Sequence, residues 1–446
     1  MKNIISVIAG KLAIIIGKLV KRGSVFPGNV AKKINPDIFN YFKLPKLVIA
    51  VTGSSGKGGI SSMITEVLRK SGYTVAYNDK GSNIDVAVLT MLLENCDLKG
   101  NIKTDAVVYE MDERYAKYVM PIIEPTFCVI TNITRDQPPR QGHVDIVYGE
   151  ILKALNNNTT LVINGDDPYL MKLSLNKKFN IKYYGIDKYK YSYIKNKFDI
   201  LNIDRCPECN AKLVYDYYNI ESLGNYKCSC CNFKRPNIDF SITKFVDNKI
   251  IINNEYEVTL TNDILYRAYN TLAAFTALSL CGINNLKIAS IISSLNNNNA
   301  LYEKYAYNKR MVYLLNNKCE NASTYNHSVL YVSNHKENKI VVLGWKEISR
   351  RYEFNDISWI YDINFNLLND KYLQEIICMG PQKYDLATCL KLKGFNQDNI
   401  KVVNDFNDMK KEIDKLNGNI FSILNFDYVV PFNETLKGCD NKWILK

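Results

Sequence analysis

The sequence predicts an α/β protein with two parallel sheets and a small cysteine-rich module inserted in the first unit. Three observations predict this. Short β-rich runs alternate with helical stretches in two separate regions. A glycine-rich turn joins the first run to its helix. Four cysteines in two C-x2-C pairs interrupt the first region.

Length and composition fit that class. At 446 residues the chain has room for about three domains of roughly 150 residues. Hydrophobic residues make up 47% and charged residues 23%, which excludes wholesale disorder. Lys and Arg number 57 against 45 Asp and Glu, a net +12. Such an excess favours anionic partners without specifying a fold. Of the 12 cysteines, five fall between Cys206 and Cys231 and the rest are scattered. That placement reads as a reduced, cytoplasmic protein with one local metal site, not as a disulfide framework.

The N-terminal stretch MKNIISVIAGKLAIIIGKLVKRG is apolar, but Lys11 and Lys18 keep any run below the length that spans a bilayer. Ile5, Ile8, Leu12, Ile15 and Leu19 recur at helical steps and share one side. Two readings follow: a helix packed on its own protein, or a helix lying along a membrane surface.

Next, residues 47–52 form a β-rich run, followed by the turn and a helical pattern over 60–70. Further strands are expected at 105–109, 126–133 and 161–164, with helices at 85–93, 115–122 and 145–155 between them. The rhythm breaks at about 197–238, where the cysteines lie. Helices return over 264–296 and end in an Asn run, 296–299, that reads as a loop. A second α/β pattern starts near 310, with strands at 339–343, 375–379, 400–403 and 419–424. It lacks G-x-G-x-x-G, so dinucleotide binding is not implied. The expected organisation is an amphipathic helical segment at 1–44, an α/β domain at 45–300 with a ribbon at 200–238, and a Rossmann-like domain at 301–446.

The turn reads Thr52-Gly53-Ser54-Ser55-Gly56-Lys57-Gly58-Gly59. Between a strand and a helix, its N–H groups converge on one point, the helix N-terminus adds positive potential, and Lys57 would reach phosphate oxygens. A phosphate loop ordinarily follows its Lys with a Ser or Thr whose hydroxyl binds Mg²⁺. Gly58 has none, and Ser61 and Ser62 lie most of a turn later. Glu110, in Glu110-Met111-Asp112-Glu113, falls at the C-terminal edge of its strand, where carboxylates meet ligands of an open sheet. It is a candidate Mg²⁺ ligand. Asn132 ends the following strand, ahead of Arg135-Asp136-Gln137. Asn164-Gly165-Asp166-Asp167-Pro168 ends the next strand in a turn and is a weak signal alone.

Cys206-x2-Cys209 and Cys228-x2-Cys231 stand eighteen residues apart, a zinc-ribbon spacing. Four thiolates would close a tetrahedral, structural Zn²⁺ site, with Cys230 as a possible competitor of Cys231. Flanking Lys227, Lys234 and Arg235 leave nucleic-acid binding as a minor reading. His143, His327 and His335 are dispersed and suggest no triad.

The ordered set GSSGKGG, EMDE, NITRDQ, NGDDP, the cysteine ribbon and Tyr269-Asn270-Thr271-Leu272-Ala273-Ala274 resembles the Mur ligase family. Within it, the set resembles the MurT-type subunits of lipid II isoglutaminyl synthases. The stretches KRGSVFPGNVAKKINPDIF and Ser358-Trp359-Ile360-Tyr361-Asp362 extend the resemblance over essentially the whole chain. It implies a Mur-ligase-type ATPase domain with an inserted zinc ribbon, then a Rossmann-like domain. It also implies an activity: ATP activates the D-glutamate α-carboxyl of lipid II at the inner membrane face, and ammonia then gives D-isoglutamine. A GatD-type glutamine amidotransferase partner would supply that ammonia, and no nucleic acid is expected. By the same resemblance Gly53, Ser54, Ser55, Gly56, Lys57, Gly58, Asn132 and Asn270 would hold the nucleotide. Lys57 and Glu110 would serve catalysis, and Asp356 would orient the partner's imidazole.

The chain departs from the family pattern at four places. Gly58-Gly59 replaces Thr-Thr. Asn299-Ala300-Leu301 lacks an Arg. The stretch 316–319 lacks Lys-Asn-Pro. Glu353-Phe354-Asn355 stands where Asp-Gly-Arg is expected. Two readings therefore stand: a divergent active ligase subunit, or a catalytically impaired paralogue acting as scaffold or regulator. A single-chain Mur or folylpolyglutamate-type ligase is disfavoured by the ribbon.

Overall fold

The computed structural model describes residues 1–19, 24–79, 81–135, 143–175, 178–295, 302–317, 321–345 and 357–437. The candidate residue Asp356 and the departures at 299–301, 318–319 and 353–355 lie outside them.

Two helices come first, α1 (Lys2–Leu19) and α2 (Phe26–Ile34). The first sheet is then built from β1 (Leu47–Thr52), α3 (Lys57–Lys70), β2 (Val75–Tyr77), α4 (Asp85–Asn95), β3 (Ala106–Glu110), α5 (Glu113–Val119), β4 (Phe127–Ile130), α6 (Val144–Ala154), β5 (Thr160–Asn164) and β6 (Asn180–Ile186). A hairpin of β7 (Leu213–Ile220) and β8 (Leu223–Cys228) carries the cysteines. Strands β9 (Phe240–Val246), β10 (Lys249–Ile252) and β11 (Tyr256–Thr259) return the chain to the sheet, followed by α7 (Leu265–Leu280) and α8 (Asn285–Ser294).

The first sheet has nine strands in the order β11-β10-β9-β6-β5-β4-β1-β3-β2. The strands from β2 to β9 pair parallel, and β10 and β11 add an antiparallel edge. Alternate residues of β1 feed opposite faces, as the pleat requires. Val48 and Ala50 join the core beneath α4, α5 and α6, while Ile49 and Val51 join the core beneath α3 and α7.

The second sheet contains β12 (Tyr302–Tyr307), β13 (Arg310–Asn317), β14 (Lys339–Gly344), β15 (Leu373–Met379), β16 (Ile400–Val402) and β17 (Asn419–Asn425). Its order is β12-β13-β17-β14-β15-β16. All neighbours pair parallel except β12 and β13. Helices α9 (Ala322–Asn334), α10 (Lys383–Leu392) and α11 (Phe406–Lys415) connect the strands, and α12 (Phe426–Lys437) follows the last of them.

Strands β9 to β13 went unread in the sequence because their turns are Asn-rich. Asn253 and Asn254 have φ of 50° and 59°, and Asn308 and Lys309 have 47° and 63°. Paired left-handed residues of this kind close tight hairpins.

Helix α1 packs on its own protein, the first of the two readings, but through its small side chains. Its packed side carries Ser6, Gly10, Ala13 and Gly17, all buried. A Cβ at Gly10 would come within 2.7 Å of Leu93 in α4, so the close approach needs glycine. The Ser6 hydroxyl donates to the Ala31 carbonyl of α2 at 2.7 Å. Ile5, Ile8, Leu12, Ile15 and Leu19 all stand exposed. Among the described residues no helix is long and apolar enough to cross a membrane.

The ribbon is joined to both sheets. Arg235, just past the hairpin, donates from Nε to Asp166 Oδ1 at 2.7 Å, and the Tyr269 hydroxyl of α7 donates to Asp166 Oδ2 at 2.9 Å. At the hairpin tip, buried Glu221 accepts from Ser323 Oγ at 2.9 Å and Asn326 Nδ2 at 2.6 Å, both in α9. Arg135 makes a second crossing, to Asp362 at 3.0 Å and Ser358 at 2.5 Å.

Asp166 is fully buried, so deleting its cation strands a charge. Arg235→Ala is expected to lower unfolding free energy by about 3–5 kcal/mol. Lys182→Ala, which removes the exposed pair with Asp239, should cost about 0–1 kcal/mol. Urea unfolding midpoints of the two variants make the comparison.

Candidate functional site: a phosphate loop at the sheet edge and a four-thiolate cluster

Sheet order places the ends of β4, β1 and β3 side by side, so the turn after β1 sits between the ends of its neighbours. Gly56 caps α3 with φ 85°, and Gly53 has φ 120°. Both values lie in the left-handed half of backbone space that glycine reaches without strain. Asn132, beyond β4, fastens the loop from one side. Its carbonyl accepts from Ser54 N at 2.9 Å and its Oδ1 accepts from Ser55 N at 3.1 Å. The Ser54 hydroxyl donates to Thr134 O at 3.2 Å and accepts from Thr134 N at 3.0 Å. From above, Asn270 of α7 leans on the loop: a Cβ at Gly56 would meet Asn270 Oδ1 at 2.7 Å.

Lys57 lies beneath the loop, 9% exposed. Its ammonium donates to the Gly53 carbonyl and pairs with Glu113 Oε2 at 3.3 Å. Burial pushes the Glu113 carboxyl up, and the Lys57 charge opposes that shift. The Ser61 hydroxyl donates to the Lys57 carbonyl at 2.9 Å and contacts Tyr77 Oη at 2.9 Å. It therefore does not stand in for a hydroxyl at position 58.

Glu110, the last residue of β3, is held on three sides. Its N–H donates to Asn78 Oδ1 at 2.8 Å, its carbonyl accepts from Asn78 Nδ2 at 2.9 Å, and its Oε1 accepts from Asn83 Nδ2 at 3.2 Å. Its Oε2 lies 3.1 Å from where a Cβ on Gly58 would sit. Mg²⁺ is commonly bound by one or two carboxylates together with substrate phosphates and water. One aimed carboxylate beside a phosphate loop fits that donor set.

The structure thus brings Gly53, Ser54, Ser55, Gly56, Lys57, Gly58, Glu110, Asn132 and Asn270 to one edge. Sequence reasoning gave no role to Glu113, Asn78 or Asn83. Glu113 was legible as a second carboxylate one helical step past Asp112. The two Asn residues carried no signal in an Asn-rich chain.

At the ribbon, the sulfurs of Cys206, Cys209, Cys228 and Cys231 lie within 4.8 Å of one another. Cys206 and Cys231 are 3.6 Å apart, and Cys209 and Cys228 are 3.4 Å apart. A tetrahedral site with metal–sulfur bonds of about 2.3 Å needs sulfurs about 3.8 Å apart. Exposed Cys230 stays outside the cluster. N–H groups of Cys231 and Cys230 point at Cys228 Sγ and pull its thiol down to about 6. Four thiolates so placed suit a soft divalent metal.

The fold is that of a Mur ligase, and the chain carries two domains of the Mur ligase family. It matches the Mur ligase middle domain over residues 51–222 and the MurT ligase C-terminal domain over residues 319–427. Within the family it is a divergent homologue of MurT subunits. It is 28% identical to the lipid II isoglutaminyl synthase (glutamine-hydrolyzing) subunit MurT of Staphylococcus aureus (strain COL), covering 83% of each chain. Identity to the subunit of the same name from Streptococcus pneumoniae is 25%, over 98% of this chain and 97% of that one. In fold it is similar to a pseudomurein peptide ligase type C from Methanothermus fervidus, with TM-score 0.68, 22% identity and coverage of 92% and 83%.

Asp167, beside the ion-paired Asp166, is buried and its carboxyl is pushed up to about 7. An acid whose folded pKa exceeds its unfolded value favours folding below the unfolded pKa and loses that contribution as pH rises. Stability should therefore fall between about pH 4 and 7. Asp167→Asn, which keeps an oxygen for the Tyr169 and Leu170 N–H groups, should flatten that slope in pH-dependent urea unfolding.

Proposed function

We propose that the chain is the ATP-using ligase subunit of a two-component enzyme that amidates lipid II during peptidoglycan synthesis. The observation that carries the reading is a fastened phosphate loop, with Glu110 and Asn270 against it, in a chain whose kinship to MurT subunits runs nearly end to end. In the proposed reaction an oxygen of the D-glutamate α-carboxylate attacks the γ-phosphorus and ADP leaves. Ammonia then attacks the acyl carbon, loses a proton and displaces inorganic phosphate, leaving D-isoglutamine. ATP supplies the phosphoryl group, and Mg²⁺ neutralises its charge when bound. The loop N–H groups would cradle phosphates, Lys57 would turn from Glu113 to the transferred group, and Glu110 would hold the cation. Asn132 and Asn270 would fix the loop and the nucleotide. Ammonia would come from glutamine on a GatD-type partner, with Asp356 orienting that partner's imidazole. The reaction would run in the cytoplasm, with substrate at the inner membrane face. The cysteine cluster would hold a structural Zn²⁺.

One observation favours a second reading. Gly58 offers Mg²⁺ no oxygen from its side chain, and the Ser61 hydroxyl is already bonded. In that reading the chain keeps fold and partner but not turnover.

Purified chain with the amidotransferase, lipid II, glutamine and Mg-ATP should give amidated lipid II by mass spectrometry. Lys57→Ala should lower the rate by about 10²- to 10³-fold, as loss of one transition-state donor does. No wild-type product and no ATP binding would favour the scaffold. Gly58→Thr should lower the Mg²⁺ concentration that half-saturates turnover, because it adds a hydroxyl beside the Glu110 carboxylate.

Elemental analysis should find one zinc per chain. Cys231→Ser should lose it while Cys230→Ser retains it, and chelation should lower the thermal midpoint.

A further inference from the structure

Among the described residues no segment covers the outward face of α1. Among the described residues 25 large apolar side chains stand exposed, and eight of them lie between Met1 and Leu19. At 100° per residue, Ile4, Ile5, Ile8, Leu12, Ile15, Ile16 and Leu19 fall within about 120° of arc. A surface helix normally turns such a stripe to its core. Here the core side is built of small residues that let α1 lie close on α2 and α4, so the large residues point away by construction. Leu12 is 56% exposed, Ile15 62% and Leu19 81%.

Charge identifies what covers this face. The first 46 residues hold nine Lys and Arg against one acidic residue, Asp37, a net +8 within a chain total of +12. Lys11 flanks the apolar arc, with its ammonium on the Leu93 carbonyl at 2.8 Å. Lys2 is exposed on the other flank. An apolar arc rimmed by lysines is the pattern of a helix lying in a lipid interface. The helix is about 27 Å long, ample for lying along a bilayer. Nucleic acid would need the reverse, a basic face without the apolar arc.

We propose that α1 docks this face on an anionic lipid surface, with its axis in the membrane plane. The position suits work on a lipid-linked substrate. Helix α1 rests on α4, and α4 begins two residues after Asn83, which holds Glu110. Membrane contact and the loop edge are thus joined by one short helix. The inference stands without lipid II as substrate, so its test uses vesicles lacking lipid II and ATP.

Full-length chain should co-sediment with vesicles of phosphatidylcholine and phosphatidylglycerol at 3:1, several-fold less with phosphatidylcholine alone, and less at high salt. Ile8→Glu/Leu12→Glu/Ile15→Glu should keep its circular dichroism and lose at least tenfold in partitioning. As a gain of signal, the indole introduced by Leu12→Trp should be quenched by brominated anionic lipid. Wild-type chain left in the supernatant with anionic vesicles overturns the proposal, as does equal partitioning of the triple variant or unquenched indole fluorescence in Leu12→Trp. A wild-type dimer that the triple variant splits, with no vesicle binding by either, overturns it in favour of a second copy as the occupant.

Discussion

A single buried carboxylate organises the first, nine-stranded half of the molecule. Asp166 sits just past the end of β5 with no solvent exposure. It accepts from Arg235 of the ribbon, from Ile186 N at 2.7 Å, and from the Tyr269 hydroxyl. A buried ion is tolerated only when each lone pair finds a donor. Here the donors come from three segments far apart in sequence, so satisfying the charge fixes the ribbon and α7 against the sheet. Tyr269 precedes Asn270, one helical step round α7. Fixing Tyr269 on Asp166 therefore sets the rotation of α7 that brings Asn270 onto Gly56. The turn NGDDP, ordinary as a sequence, becomes a positioning device for the glycine-rich loop.

The same ribbon extends the constraint to the second sheet. Its foot is tied at Asp166 and its tip, Glu221, is buried against Ser323 and Asn326 of α9. A carboxylate at a helix N-terminus is favoured by the exposed N–H groups there. Glu221 carries a φ of 47°, strained for an ordinary residue, and its two hydrogen bonds to Ser323 and Asn326 hold it there. Arg135 adds a crossing at the other side, to the Ser358–Asp362 turn. The cysteine-bearing hairpin thus forms a strut between the two halves, although in sequence it is inserted within the first of them.

Much of this was legible. Strand β1 was read with the bounds the structure shows, and β3, β5, β14 and β17 differ by a residue or two, because buried parallel strands give dense apolar runs. The loop, the carboxylate at the edge and the cysteine spacing were legible because each is local. What sequence could not supply was partnership across distance. Asp166 with Arg235, Glu221 with α9, and Lys57 with Glu113 have no local signature. The β9–β13 hairpins were hidden because Asn, their turn residue, is common throughout the chain. In α1 the periodicity was read correctly, yet periodicity gives a stripe and not its direction. The direction was written in the small residues opposite, Ser6, Gly10, Ala13 and Gly17.

The departure at Gly58 can be weighed against what surrounds it. Phosphate binding in such a loop rests mainly on backbone N–H groups, which any residue supplies, and Gly58 supplies its own. What glycine removes is one hydroxyl aimed at the cation. Around that gap nothing is relaxed: Glu110 is still held by Asn78 and Asn83, Asn132 still fastens Ser54 and Ser55, and Asn270 still covers Gly56. Each of those contacts fixes a polar group in place, at a cost in conformational freedom. None is required to fill the core, which the apolar residues of β1, β3 and β4 already do. An arrangement kept only as scaffold would have no physical need to orient Glu110 toward the loop. The balance of contacts therefore supports the proposed reading of a site that handles phosphate, in which the cation would be held by fewer protein oxygens and more by water and substrate.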